Sequence, residues 1–390
     1  MSDPKILFLG FTSKKYKGHS IEIDRPDLTR KMSCMETWVP RIEALGHEVI
    51  FFDGGNDNQT FDKKNRILHL ISNESYDYHH LRDIGFGSLM FERLKEAVSW
   101  SLRNKEFDYI FRIDDGSYLN AWKMPELLEM LKSQPDIVFS EYGGGGAGII
   151  FSKKACEALS VYQNHMKIHI EDQAVSQFSA ESGLNVVFTN LLCPQYLLGE
   201  KFFSFHYTNG KRQYFSDDVI SYYNMGLPIK RKVMINFPFD LAGESGSYLP
   251  LCTWSCDSSE KTPLWYSFDK DEQNWEYYGN YARSSYSYNQ FCPFGKSAIQ
   301  ELAFWNANFD FSSEHEQKVF IDYIDSVNDD GSIYFILTEN YRNKFGENYL
   351  KDCVESLSKF IKPISVVENV KSSIGFEISQ NVTTITAKKI

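Results

Sequence analysis

Two adjacent carboxylates, Asp114 and Asp115, close an apolar run, Tyr109-Ile110-Phe111, and are followed at once by Gly116 and Ser117. A strand that delivers acids at its carboxyl end sets them at the rim of an open α/β sheet, where such sheets bind ligands. An Asp-Gly turn after a strand accounts for the same residues without chemistry. Three further features have the same double character. The glycine run Gly143 to Gly146, with Gly148 two residues on, is either a surface turn or a place where backbone passes close to a ligand. Glu171 and Asp172 precede a helical pattern over Gln173–Ala180, and a helix N-terminus is a favourable place for acids. His206 ends an aromatic strand, Phe202-Phe203-Ser204-Phe205.

The elements that must carry these groups alternate. Lys5–Gly10 reads as a short strand, Leu28–Leu45 as a helix with Met32, Met35, Trp38 and Ile42 on one face, and His47–Asp53 as a strand. Strand, helix, strand is the unit of a parallel sheet. Leu68–Ile71 is a candidate short strand, and Leu89–Leu102 is an amphipathic helix leading into the acidic strand. A helix at Glu126–Lys132, strands at Ile137–Phe139 and Ile149–Phe151, a helix at Lys153–Val161 N-capped by Ser152, and a strand at Asn185–Phe188 follow. The pattern loosens around Thr208–Tyr214, which sets a boundary near residue 215. Beyond it a helix at Glu314–Ser326, a strand at Ser332–Thr338, a helix at Tyr349–Ile361 and three short strands predict an α/β or α+β domain. Two domains, 1–215 and 216–390, also suit a chain of 390 residues, more than one core usually fills.

Composition narrows the classes. The net charge of −11 gives no general attraction to nucleic acid or to an anionic membrane, so an anionic ligand needs local positive charge or a metal. No segment approaches a membrane span, and the N-terminus lacks a signal-peptide layout, so a cytoplasmic protein is expected. Seven cysteines lie singly; Cys252 and Cys256 lack the second pair of a zinc site, and all seven read as free thiols of a reducing compartment. The aromatic-rich stretch 254–311 reads as core, with a glycan-holding surface as its other reading.

Taken in order, the first half resembles the fringe-like, β-1,3-glycosyltransferase class of nucleotide-sugar enzymes. Phe11–Tyr16 is similar to that family's first strand and turn, Thr29-Arg30 with Thr37-Trp38 to its TR…TW helix, and Ile50–Gly54 to its second strand. Asp77–Leu81 is a weaker copy of its D-x-Y-x-N-L segment. Tyr109–Asn120 resembles its aspartate motif, Gly145–Ser152 its GGAG segment, Glu171-Asp172 its acidic pair and Ser204-Phe205-His206 its SFH. The resemblance covers residues 4–207 and implies a GT-A fold, a Rossmann-like mixed sheet flanked by helices, with a smaller second domain. It also implies a UDP-linked sugar donor, a glycan acceptor, and Mn²⁺ or Mg²⁺.

By the same resemblance Asp172 is the general base, and Asp115 and His206 hold the metal, with Asp114 beside the diphosphate. Thr12, Arg30, Asp53, Gly145, Gly146 and Glu171 are candidate donor and substrate contacts. Arg82 stands in for the family's lysine, near whose place Ile84 stands. The pattern departs at Gly116, where the family carries the acid expected to ligate the metal. A weaker metal site, a diphosphate held by side chains, and a non-catalytic glycan- or nucleotide-binding protein all remain open at this point, as does a second active domain after residue 215.

Overall fold

The computed structural model describes residues 3–12, 30–72, 87–141, 145–165, 171–193, 199–206, 211–226, 232–236, 291–305, 309, 311–338, 355, 358, 361–370 and 382–389. Contacts divide the chain into two compact units, Met1–Tyr196 with Phe202–Asp217, and Leu197–Lys201 with Asp218–Ile390.

The first unit contains the mixed, Rossmann-like α/β sheet that the alternation predicts. Its strands are β1 (Ile6–Phe11), β2 (Glu48–Asp53), β3 (Thr60–Asp62), β4 (Ile67–His69), β5 (Tyr109–Asp114), β6 (Tyr118–Leu119), β7 (Ile137–Ser140), β8 (Ile149–Ser152), β9 (Val186–Thr189), β10 (Leu192–Cys193) and β11 (Ser204–Phe205). Eight of them form one sheet in the order β3-β4-β2-β1-β5-β8-β7-β9. The run β4, β2, β1, β5 is parallel, and β8 lies antiparallel to both its neighbours, β5 and β7. β1 is buried along its whole length, as a strand covered on both faces must be.

Helices cover both faces. They are α1 (Arg30–Glu36), α2 (Trp38–Ala44), α3 (Gly87–Asn104), α4 (Met124–Leu131), α5 (Lys153–Val161) and α6 (Glu171–Ser182); α7 (Lys211–Asn224) follows, part of it in each unit. One face packs Leu7, Leu9, Phe11, Ile50 and Phe52 against Phe91, Leu94 and Val98 of α3, with Ala155 and Leu159 of α5 and Val175 and Phe178 of α6 in the same cluster. On the other, Trp38 of α2 meets Phe51 at 6.4 Å between rings. The period-two alternation along β1 and β2 divides these side chains between the two layers.

Several elements differ from expectation. The single helix expected over 28–45 is two, broken at Thr37, whose hydroxyl donates to the Ser33 carbonyl at 2.7 Å. Glu171 and Asp172 lie inside the first turn of α6 rather than ahead of it. The aromatic strand at 202–206 pairs only over Ser204–Phe205. The stretch read as loosened is the start of a helix, α7, and the division between the units falls within it. Its only-half-apolar pattern hides the reason: Gln213 and Ser216 are polar yet fully buried.

The small sheet β10-β11-β6 matters most for the site. β6 pairs antiparallel with β11, Tyr118 opposite Phe205 and Leu119 opposite Ser204. This pairing sets the turn that follows Asp115 directly beside the approach to His206.

The second unit is built on a five-stranded sheet, in the order β12 (Lys232–Asn236), β13 (Ile299–Trp305), β14 (Val327–Thr338), β16 (Val382–Lys389), β15 (Ile361–Val370). Its first three strands are parallel and β16 is antiparallel to both neighbours. Helix α8 (Glu314–Asp325) is N-capped by Ser313. Phe304 stacks on Phe335 at 5.1 Å, with Phe309, Phe320 and Tyr323 around it, so the described part of the aromatic-rich stretch is core. Residues 254–290, the helix expected at 349–361 and the strand expected at 374–378 lie outside the described residues, apart from positions 355, 358 and 361. Cys34, Cys156, Cys193 and Cys292 are free thiols, all buried. Among the described residues no helix is long and apolar enough to cross a membrane.

Candidate functional site

The centre of the site is the carboxyl end of β5. Positions two apart on a strand share a face, so Arg112 and Asp114 point the same way. The Arg112 guanidinium is 2% exposed, and its Nη2 lies 2.9 Å from Asp114 Oδ1 and 2.6 Å from Glu171 Oε2. Its Nη1 donates to the Gly145 carbonyl at 3.0 Å. One buried cation therefore ties together the end of β5, the glycine segment and the start of α6.

Asp115 faces the other layer. Its Oδ2 accepts from the Thr12 hydroxyl at 2.7 Å, and its backbone N–H donates to the Phe11 carbonyl at 2.9 Å. The Cys34 thiol donates to its carbonyl at 3.2 Å. The turn is held from below by Gln213 of α7, whose side-chain N–H donates to the Ser117 carbonyl at 3.0 Å.

Ser117 decides the state of His206. Its hydroxyl donates to the Gly146 carbonyl at 2.6 Å, and it lies 2.7 Å from His206 Nδ1. A hydroxyl has one proton, so Ser117 accepts from the imidazole and Nδ1 carries a hydrogen. In the neutral ring Nε2 is then the lone-pair nitrogen; it stands 3.7 Å from Asp114 Oδ2. The glycines are close-approach positions. A Cβ on Gly146 would come within 2.7 Å of the His206 ring, and one on Gly145 within 2.0 Å of Asp172 Oδ1. Asp172 and His206 thus flank the two glycines.

Burial dominates the electrostatics. It pushes the Glu171 carboxyl up to about 7, against Arg112, with Asp114 and Asp172 adding to the rise. It pushes Asp115 up to about 6, against Arg30 and the Thr12 hydrogen bond, and raises Asp114 against Arg112 and Arg30. His206 is driven down to about 3 by burial, with Arg30 and Arg112 contributing. Burial works against the charge of Arg112 itself, but Asp114, Glu171 and Asp172 outweigh it and raise its pKa. The pair is therefore a fixed cation beside a carboxyl that burial leaves less firmly ionised than an exposed acid.

The predicted residues fall into three groups. Asp114, Asp115, Thr12, Gly145, Gly146, Glu171, Asp172 and His206 assemble at the carboxyl end of β5, and Arg30 on α1 acts electrostatically on Asp114, Asp115 and His206. Asp53 stands farther along the same sheet edge, 1% exposed, with its carboxylate bound to His69 and Asn56. Arg82 and the Asp77–Leu81 segment lie outside the described residues. Arg112, Ser117 and Gln213 were not singled out from the sequence. Arg112 carried a signal, a charge inside an apolar strand two places before an acid.

Whether these residues suit a metal turns on the donors. Among the described residues no group of three or more His, Cys, Asp or Glu side chains is arranged to hold an ion. His206 Nε2 and Asp114 Oδ2, 3.7 Å apart, are spaced so that one ion would touch both. Two protein donors suit Mg²⁺ or Mn²⁺, which take one or two carboxylates and complete their shell with phosphate and water. On this geometry Asp114, rather than the Thr12-bound Asp115, partners His206.

No protein-family model matches the chain, and no curated protein matches it. Solved structures that it resembles share a low identity. One is a protein from Desulfovibrio desulfuricans G20, provisionally described as a nucleotide-diphospho-sugar transferase (13% identity, 47% of this chain and 79% of that one, TM-score 0.31). A second is a glycosyltransferase involved in the glycosylation of the major capsid of PBCV-1 (10%, 56% and 99%, 0.35). HddC from Yersinia pseudotuberculosis is a third (13%, 55% and 98%, 0.31). Likeness of this order assigns no activity to the chain.

Proposed function

We propose that residues 1–215 form an inverting, GT-A-type glycosyltransferase domain that moves a sugar from a UDP-linked donor to a glycan hydroxyl, and that residues 216–390 are an accessory domain. The observation that carries the reading is the convergence of Asp172 and His206 on the two glycines beside the Arg112-bound acids. Four segments distant in sequence meet at the carboxyl edge of the sheet, where open α/β folds bind ligands.

Each group has a task in that reaction. Asp172, at the helix start, takes the proton of the acceptor hydroxyl as its oxygen attacks the anomeric carbon. The bond from that carbon to the diphosphate breaks with its electron pair on the departing oxygen. One displacement inverts the anomeric centre, and a positioned base contributes roughly 10²–10⁴-fold. Gly145 and Gly146 let the sugar lie against backbone. Arg112 holds Glu171 and the Gly145 carbonyl in place around Asp172. A divalent cation bound between Asp114 and His206 would supply positive charge to the leaving diphosphate. Ser117 keeps the hydrogen of His206 on Nδ1 and so directs the Nε2 lone pair.

The deciding measurement is turnover of a UDP-sugar panel, with calorimetry of UDP binding on the same samples. Asp172→Asn removes a base but no donor contact, so turnover is expected to fall at least 100-fold with UDP affinity within about twofold. Full activity in Asp172→Asn sinks the base assignment. Gly116, in place of the acid that would complete a metal site, favours a second reading, a binding protein without transfer. UDP binding without turnover across the panel would establish it.

A further inference from the structure

A histidine–aspartate pair lies on the same sheet edge, away from the reacting groups. Asp53 ends β2 and His69 ends β4, directly opposite each other in the parallel register. His69 Nδ1 lies 2.8 Å from Asp53 Oδ1 and 3.1 Å from Oδ2. A carboxylate only accepts, so the ring hydrogen sits on Nδ1, and the ring geometry turns Nε2 away from Asp53. The Asp53 side chain is 2% exposed, and that of His69 is 22% exposed.

The support beneath the pair is rigid. Asn56 donates to Asp53 Oδ1 and to the Leu70 carbonyl, both at 3.0 Å. Glu96 of α3 takes the N–H groups of Ile71 and Ser72 and the Ser72 hydroxyl. A Cβ on Gly54 would lie 2.3 Å from the Ser72 carbonyl, so these two loops are pressed together. Such bracing holds a side chain in one orientation, as recognition requires.

We infer that His69, oriented by Asp53, is the contact that reads the nucleoside of the donor, with Nε2 accepting a hydrogen bond from a ribose hydroxyl or a base N–H. The inference rests on the nucleotide-sugar reading of the Asp114–His206 end. From β4 to β5 is three strand steps, about 14 Å at about 4.8 Å each, a span that a nucleoside diphosphate covers. The lone pair on Nε2, rather than net charge, decides which end of the ligand this site accepts. Asp62 acts on His69 and, with Asp53 and Arg66, on Lys31, so the described charges here are mixed, two acids and two cations. A phosphate oxygen has no hydrogen to give that acceptor, whereas a hydroxyl or N–H donor finds it fixed in place. Asp53 is thus a positioning residue; the candidate ribose or base contact read from the sequence passes to its partner.

The test is calorimetry of UDP, CDP, GDP, ADP and inorganic pyrophosphate on the full chain, its His69→Ala variant and its Asp53→Asn variant. For the nucleoside diphosphate that the unaltered chain binds best, His69→Ala is expected to weaken binding about tenfold, the loss of one directed hydrogen bond. Pyrophosphate affinity should not change. Asp53→Asn leaves an amide that can turn either its oxygen or its N–H₂ to the ring, so the ring hydrogen is no longer fixed on Nδ1. It should weaken nucleoside binding as His69→Ala does, with the melting temperature nearly unchanged; a mere strand-end cap would not respond in this way. Equal affinities in all three proteins, or a parallel loss of pyrophosphate, overturns the inference alone. Failure of the unaltered chain to bind any nucleoside diphosphate overturns the nucleotide-sugar reading and the inference with it.

Discussion

Replacing Arg112 with methionine removes both ion pairs and the hydrogen bond to Gly145 while keeping a long apolar stem. Asp114 and Glu171 are then left facing each other without their cation. Removing one partner of a buried pair costs about 3–5 kcal/mol, because the remaining charge is stranded. The cost should depend on pH in a stated direction. In the unaltered chain burial has already lifted Glu171 to about 7. Arg112 is the main influence holding it down, so its loss raises Glu171 further. At pH 5.5 Glu171 is largely protonated in either protein and loses little. At pH 8 the unaltered chain ionises Glu171 beside Arg112, and the variant must either ionise it alone or hold a proton against the solvent. The destabilisation at pH 8 should exceed that at pH 5.5 by up to about 1.4 kcal/mol, the equivalent of the one pH unit between about 7 and 8. Urea denaturation at both pH values reads this, with an expected midpoint drop of roughly 1–2 M at pH 8 for an ordinary slope. A loss under about 1 kcal/mol at pH 8, or an equal loss at both, would refute the view of Arg112 as the cation that binds the site together.

Three further outcomes follow from the same geometry. Gly145→Ala drives a methyl into Asp172 and Gly146→Ala drives one into the His206 ring; each should lower turnover about 100-fold, as misplacement by about 1 Å does, measurable in the transfer assay. Gln213→Ala leaves the buried Ser117 carbonyl without its side-chain donor and should cost about 1–3 kcal/mol in urea denaturation. Glu171 and Asp115 have folded pKa values, about 7 and about 6, above their ordinary 4.5 and 3.8. A raised value favours the folded state fully below the ordinary pKa and loses that advantage as pH rises through the folded one. These two groups should therefore lower stability steadily from about pH 4 to about pH 7, as read by melting temperature across that range.

Much of the fold was legible because burial leaves a periodic imprint. β1, β2 and β5 are apolar runs closed by polar or acidic residues, and α3 and α5 have apolar faces, so their positions could be read locally. α7 was missed because its buried contacts include polar ones: Gln213 and Ser216 serve the site turn and its surroundings, and periodicity counts only apolar positions. The split of the 28–45 helix at Thr37 is likewise a side-chain hydrogen bond that competes with the helix, which no apolar count registers.

Asp114, Asp115, Glu171, Asp172, His206 and the glycine run were evident from residue type and order, since carboxylates at strand and helix ends and clustered glycines stand out from their neighbours. What the linear chain could not contain is which of them touch. The antiparallel return of β8 beside β5 and the pairing of β6 with β11 decide it. They bring Gly145 against Asp172, Gly146 against His206, and Ser117 onto the histidine's Nδ1. They also place Asp114 rather than Asp115 before His206, and Arg112 among three segments. The types of groups at the site are a property of the sequence. Their partners, protonation and orientation come from burial and strand pairing, which act only once the chain has folded.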